Sequence, residues 1–256
     1  MSYLSSAQQF KAIEEARSEL ARARTSHARW AEKVDQFFEE EAVVALTSDS
    51  MTTPDSVAER TTVQQALAGK PVSDAAIEAR ILNARRAYHY LLEFSRRGQE
   101  LEEALLPALH KKLGEGLDPF AGQYRTEPVK PILPGHTPTS PNFIRQALYN
   151  TFDWTGSASF AELHAVEQAA LLTTRLLEIQ PFADGNLKAA PLFASFPLVK
   201  HGFPLIIFDG HTQPRFLRAL SAAFRLSMQE MIDLYDQSLL RLLEQAKVVC
   251  IKNMGQ

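Results

Sequence analysis

The chain has 256 residues, of which 45% are hydrophobic and 22% charged, so it is long and apolar enough to bury a core and is not a disordered polar tract. Its 27 Lys and Arg against 30 Asp and Glu leave a formal charge of -3, which excludes a global basic field of the kind that recruits nucleic acid or an anionic membrane. The one cysteine, Cys250, cannot close an intramolecular disulfide, which excludes a disulfide-stapled secreted scaffold and points to the reducing cytoplasm.

The run Met1 to Lys11 lacks the charged start and apolar centre of a signal peptide, and no uncharged stretch reaches the roughly 18 residues of a membrane span, so neither export nor membrane insertion is expected. Low glycine and abundant Ala, Leu, Glu, Gln and Arg predict an all-α protein. Apolar residues at helical spacing predict a first helix from Phe10 to about Phe38, broken once near Thr25 and Ser26. Thr47 to Asp55 reads as a loop, followed by a short helix with Pro54 in its first turn. A strong stripe predicts a helix from Asp74 to Arg97, which Gly98 either ends or turns into the next helix, Leu101 to Leu113.

Seven of the 14 prolines fall between Pro107 and Pro141, which excludes helix or central strand there and leaves a surface loop or an edge hairpin. Helices resume over Pro141 to Phe152 and from Ser159, whose hydroxyl with Glu162 reads as a capping box, to Glu178. After an interruption at Pro181 to Asn186, the pattern predicts a helix near Leu192 to Lys200 and a short apolar run, Pro204 to Phe208. Two last helices are predicted over Pro214 to Ala223 and Met228 to Val248, with no internal repeat and no recognisable DNA-binding helix pair.

The stretch Ile179-Gln180-Pro181-Phe182-Ala183-Asp184-Gly185-Asn186-Leu187-Lys188 carries the most chemistry. Gly185 permits a positive φ, and the free N–H groups of Asn186, Leu187 and Lys188 at the following helix start form an anion seat, with the Lys188 ammonium beside it. Asp184 offers the single carboxylate that Mg²⁺ commonly takes along with phosphates and waters. The same three residues, Asp-Gly-Asn, also make an ordinary turn between helices, and the spacing leaves both readings open.

Ile179 to Pro191 resembles the signature I-H-P-F-x-D-G-N-G-R-x-x-R of the Fic family. Gly122-Gln-Tyr-Arg-Thr-Glu-Pro-Val129 is similar to the G-x-Y/F-R-x-x-x-V that opens that family's target-docking hairpin. Pro138 to Ile144 and Lys200 to Pro204 resemble the family's P-P-x-x-I and K-x-G-Y-P, and the likeness spans roughly residues 40 to 245. It implies a helical Fic-type core over 47–248 with a short β-hairpin flap, an N-terminal helical extension over 1–46 and a tail at 249–256. It also implies ATP and Mg²⁺ as ligands, and transfer of AMP or a related phosphate-bearing group to a hydroxyl of a target protein. Asp184 falls at the metal ligand, Gly185, Asn186, Leu187 and Lys188 at the nucleotide seat, and Tyr124, Arg125 and Val129 on the target-docking flap.

Four positions depart from the signature. Gln180 stands at the position of the proton-accepting His, and a carboxamide cannot supply the roughly 10²–10⁴-fold of general base catalysis. Leu187 replaces a glycine, Lys188 replaces an arginine and loses its bidentate fork, and Pro191 replaces the second arginine. A helix that restarts with Pro191 at its first position is expected, which would spoil the seat. His164 is sixteen residues from Gln180 on one predicted helix, about 24 Å away, so it cannot substitute. Ser56-Val57-Ala58-Glu59-Arg60 resembles the family's inhibitory S-x-I-E-G helix, although Ser56 and Glu59 also make a plain capping box.

These features define three functional expectations. One is a degenerate Fic-fold protein with lost or weakened transfer that binds a nucleotide or a target or regulatory protein. Another is a working transferase without a His base, relying on electrostatic stabilisation. The third is a helical interaction or homo-oligomerisation module whose working surfaces are the charged N-terminal helix and the terminal helix, with its apolar face of Met231, Leu234, Tyr235, Leu239, Leu242 and Leu243.

Overall fold

A computed structural model describes residues 9–26, 28–48 and 60–252. Among the described residues helix accounts for 68% and no strand forms, as an all-α protein requires. The expected β-hairpin flap is therefore replaced by turns and bends over 116–140. Prolines at 128, 131, 134 and 138 each remove a ladder donor, so side chains rather than a ladder hold this segment.

Helices α1 (Lys11–Ser26) and α2 (Ala28–Thr47) are separated where Thr25 Oγ1 and Ser26 Oγ both donate to Arg22 O, at 2.8 and 3.0 Å, competing with the backbone ladder. Helix α3 (Arg60–Leu67) leads to α4 (Ala75–Arg96), whose cap is Asp74 Oδ1, accepting from the N–H groups of Ala76 and Ile77 at 2.8 and 3.1 Å. Gly98, at φ 68°, ends that helix as expected. Helix α5 (Leu105–Gly114) begins four residues later than its pattern suggests, because the Glu102 and Glu103 carbonyls turn back onto Leu105 and Leu106.

A 3₁₀ turn at Pro141–Phe143 opens α6 (Ile144–Thr155), and Ser157 then caps the one-turn α7 (Ala158–Ala161). The capping box expected at Ser159 and Glu162 is not made. It forms one turn later on α8 (Ala165–Ile179), where His164 Nδ1 accepts from Val166 N–H and Glu167 accepts from His164 N–H. The shift follows from Gln168, whose Nε2 donates to the carbonyls of Phe160 and Leu163 and stops α7 before α8 can start.

Helix α8 is buried on nearly every side, as an all-round apolar helix must be, and is packed by α6, by α9 (Asn186–Ala194), by α10 (Phe196–Lys200) and by α12 (Gln229–Lys252). Helix α11 (Gln213–Ala223) packs on α12, which also covers α1 and α2, so N-terminal helices and signature region share one core. Helix α12 continues past the expected tail boundary at 249 because Cys250 is buried on the face of Leu243 and Ala246. Among the described residues no helix is long and apolar enough to cross a membrane.

The largest correction concerns α9. It starts at Asn186 rather than restarting at Pro191, which lies inside it. Pro191 forfeits the bond to Leu187 O, but its own carbonyl is held by Ser195, from N–H at 3.0 Å and from Oγ at 2.9 Å. Ser195 Oγ also accepts from Ile206 N–H at 3.0 Å, tying the helix to the run Pro204–Phe208, whose Leu205 and Ile206 are buried. The helix start required for an anion seat is thus formed.

On α12, Asp236 has a buried Oδ1 with no hydrogen-bond partner among the described residues. Burial, with the Asp233 charge adding to it, pushes the carboxyl up from 3.8 to about 6. The fold therefore favours the protonated form, so stability present below pH 3.8 is lost as pH rises through about 6. Asp236→Asn is expected to raise the melting temperature at pH 7.5 and to flatten the loss between pH 4 and 6, measured by thermal unfolding across that range.

Candidate functional site

The signature turn hangs from the C-terminus of α8. Gln180 ends that helix in the left-handed region, at φ 47° and ψ 69°, with its N–H donating to Leu176 O at 2.9 Å. For a residue other than Gly this conformation costs about 1–2 kcal/mol, a strain held only by over-determined surroundings. Those surroundings are Arg125. Buried at 7% exposure, its guanidinium donates from Nε to Gln180 O at 2.6 Å and from Nη2 to Ile179 O at 3.2 Å. It also donates from Nη1 to Glu127 O at 3.0 Å and from Nη2 to Thr139 O. Its backbone N–H meets Pro181 O at 2.9 Å. One cation thus satisfies orphan carbonyls at the negative end of a helix dipole and cinches both ends of the flap. His136 adds a further tie, its Nε2 meeting Glu178 O at 3.0 Å.

Beyond Gln180 the turn is closed by Asn186. Its Oδ1 accepts from Phe182 N–H at 3.0 Å and its Nδ2 donates to Phe182 O at 2.8 Å. Gly185 then enters α9 at φ 73°, where a Cβ would stand 3.0 Å from His110 Nε2. His110, on α5, was not singled out from the sequence. Its Nδ1 accepts from Gly122 N–H at 2.8 Å, which leaves Nε2 as the protonated nitrogen, 3.0 Å from Asp184 O. Its ring stacks on Phe182 at 3.8 Å, and burial lowers its pKa, so it is a neutral strut for the turn with no nitrogen left over to act as a base. The only sequence signal for it was its place on the buried stripe Leu105, Leu106, Leu109 of α5.

At the helix start, the N–H groups of Lys188 and Ala189 return to Gly185 O at 3.1 and 2.9 Å. Those of Asn186 and Leu187 meet no acceptor among the described residues and form the seat. Asp184 is exposed at its edge, with Oδ1 accepting from Gly185 N–H at 2.7 Å. Lys188 reaches instead to the end of α2, where Nζ donates to Leu46 O at 2.6 Å. Pro191 is buried, so nothing cationic occupies the place of the second signature arginine.

These groups open onto a cavity of about 580 Å³, roofed by the flap residues Val129 to Ile132 and walled by Leu46, Leu117 and Phe216. Arg80, Lys130 and Lys188 make its lining net basic against Asp118 and Asp184. Its size suits a small ligand of drug or nucleotide dimensions. No cluster of three metal-ligating side chains occurs among the described residues, so a divalent cation at Asp184 would take its other ligands from phosphate and water.

Of the flap residues named from the sequence, Arg125 is buried structure and Val129 lines the cavity. Tyr124 lies against Phe182, its hydroxyl donating to Glu103 Oε1 at 3.0 Å, and burial pushes its pKa up. His164 sits at the far end of α8, stacked on Phe10 and bonded to Glu14, and takes no part in the site. Ser56 and Glu59, the inhibitory-helix match, lie outside the described residues.

Residues 100–198, which contain the flap, α8 and the signature turn, match the family model for the Fic/DOC family. The match covers less than half of the chain and marks that stretch as similar to the Fic/DOC family. The chain is 29% identical over 116 residues to protein adenylyltransferase fic-1 of Caenorhabditis elegans, covering 45% of this chain and 22% of that protein. It is 29% identical over 128 residues to protein adenylyltransferase Fic of Drosophila virilis, covering 49% and 26%. The alignment therefore spans about a quarter or less of those relatives. In structure, the chain is similar to a Fic domain containing signaling protein from Bacteroides thetaiotaomicron, with a TM-score of 0.80 at 18% identity over 94% of this chain and 97% of that one. A C. elegans Fic-1 fragment gives 0.77 at 17% identity, covering 94% and 71%. Both likenesses show the Fic fold.

Arg125 carries most of the load in positioning the turn. Arg125→Ala is expected to cost about 3 kcal/mol in urea unfolding, because several buried carbonyls lose a charged donor together. Arg125→Lys should recover less than half, since one ammonium cannot span them.

Proposed function

We propose that this Fic-family protein binds a nucleotide at the signature turn but transfers AMP weakly or not at all. The observation that carries the reading is Gln180, whose carboxamide occupies the position of the signature His and is bonded at both polar atoms to flap backbone. A carboxamide takes no proton at physiological pH, and His110, the one imidazole lining the cavity among the described residues, has both nitrogens engaged. The replacement of Lys188 and Pro191 for two arginines supports it further, since bidentate phosphate contacts are gone at both places.

Binding is supported by the residues that remain. Mg²⁺–ATP, when bound, brings an electrophilic α-phosphorus and two phosphates that leave with the developing charge. The Asn186 and Leu187 N–H groups would hold phosphate, Asp184 would hold the cation, and Arg80 and Lys130 lie on the same cavity wall. The formed helix start and the exposed Asp184 also favour a second reading, residual transfer by electrostatic stabilisation alone. The relatives named protein adenylyltransferase support AMP as the group in question.

Calorimetric titration of ATP separates these outcomes. Binding is expected in the wild-type protein, strengthened about tenfold by Mg²⁺, with that gain lost in Asp184→Ala. Intact-mass analysis after incubation with Mg²⁺–ATP should show no adenylylated species. Stoichiometric AMP transfer would overturn the proposal in favour of the second reading, and absence of any ATP binding would overturn both.

A further inference from the structure

The flap crosses the mouth of the site without a ladder of its own, yet two of its backbone groups are paired. Gln180 Nε2 donates to Lys130 O at 3.2 Å, and Gln180 Oε1 accepts from Ile132 N–H at 3.0 Å. Donation to one residue and acceptance from the residue two further on is the pattern by which a parallel strand pairs with its neighbour. A primary amide carries a donor and an acceptor on one planar group and so reproduces the pairing surface of a peptide. Pro131, between the two, has no N–H, so the edge facing Gln180 is where this short run offers both a donor and an acceptor.

We infer that Gln180 is a latch: its side chain fills the flap edge at 130–132 in place of a strand, and an extended peptide adds there only by displacing it. Every polar atom of the residue is committed to this position. The backbone N–H goes to Leu176 O, the carbonyl accepts from Arg125 Nε, and the two side-chain atoms take the flap. Its buried state, at 3% exposure, keeps water from competing for those bonds. The left-handed backbone that sends the side chain toward the flap is itself held by Arg125, so the latch is pre-set by the same contact that ends α8. Added strands gain affinity from main-chain bonds, and with this edge taken those bonds are not on offer. The latch stands whether or not the cavity binds nucleotide.

Amide hydrogen exchange by NMR tests it at one proton. In the wild-type protein the Ile132 amide should exchange well below the free-peptide rate. In Gln180→Ala it should exchange roughly fivefold faster, the factor that corresponds to about 1 kcal/mol for one hydrogen bond. The Gly122 amide, held by His110, should stay unchanged and so separates loss of the latch from general loosening. Gln180→Glu keeps the acceptor and should keep Ile132 protected. Free-peptide exchange of Ile132 in the wild-type protein would overturn the inference without any variant, as would an unchanged rate in Gln180→Ala, or a rise matched by Gly122. A fluorescent six-residue peptide of alternating Thr and Val reads the screening directly: Gln180→Ala should bind it at least about tenfold more tightly than wild type, and failure to bind better than wild type would overturn the screening role.

Discussion

Everything at the site depends on how α8 ends. The last carbonyls of a buried helix point away from it with no partners of their own, and leaving them unmet would cost a sizeable fraction of a domain's net stability. Arg125 meets two of them from within a buried position and uses its remaining donors on both ends of the flap. The same contact therefore does three jobs: it closes the helix, it holds Gln180 in a left-handed backbone, and it fixes where the flap crosses the cavity. A guanidinium suits this because its donors radiate in a fixed plane and it stays charged when buried, as an ammonium would not.

From that anchor the turn is built by short-range exchange of hydrogen bonds rather than by packing alone. Asn186 ties back to both backbone groups of Phe182, and His110 stacks on the Phe182 ring while meeting Asp184 O and Gly122 N–H. The close approach of His110 to Gly185 explains why glycine is needed there for two independent reasons, its positive φ and the absence of room for a Cβ. With the turn rigid, the two free N–H groups at the start of α9 are presented at a fixed place beside Asp184, a preorganised arrangement that needs no further ordering to receive an anion.

The parts of this arrangement legible in the sequence were those written within one turn of chain. The helix start at Asp74, the break near Thr25 and Ser26 and the stop at Gly98 all depend on residues two to four apart. His110 was not legible because its partner Asp184 is 74 residues away, and a single His on an apolar stripe looks the same whether it braces a turn or merely fills a core. The start of α8 was misplaced because Ser159 has a hydroxyl suited to capping, whereas the cap is an imidazole nitrogen at His164, set by Gln168 gripping the preceding turn. Pro191 misled for a related reason. Its local cost is real, but Ser195 and burial against α5 and α8 offset it, and tertiary contacts overrode the local preference for a helix restart.

Three of the departures from the family signature, Gln180, Lys188 and Pro191, form one physical set rather than separate losses. Pro191 turns into the core, so no charge remains there to need a counter-ion. Lys188, freed from the fork geometry of an arginine, spends its ammonium on the C-terminal carbonyl of Leu46 and draws the end of α2 against the cavity. Gln180 exchanges a titratable ring for an amide that pairs with flap backbone. At Lys188 and Gln180 a side chain that the signature directs at a substrate is directed instead at this chain's own backbone. Asp184 and the two N–H groups at the α9 start are the exceptions, still facing outward.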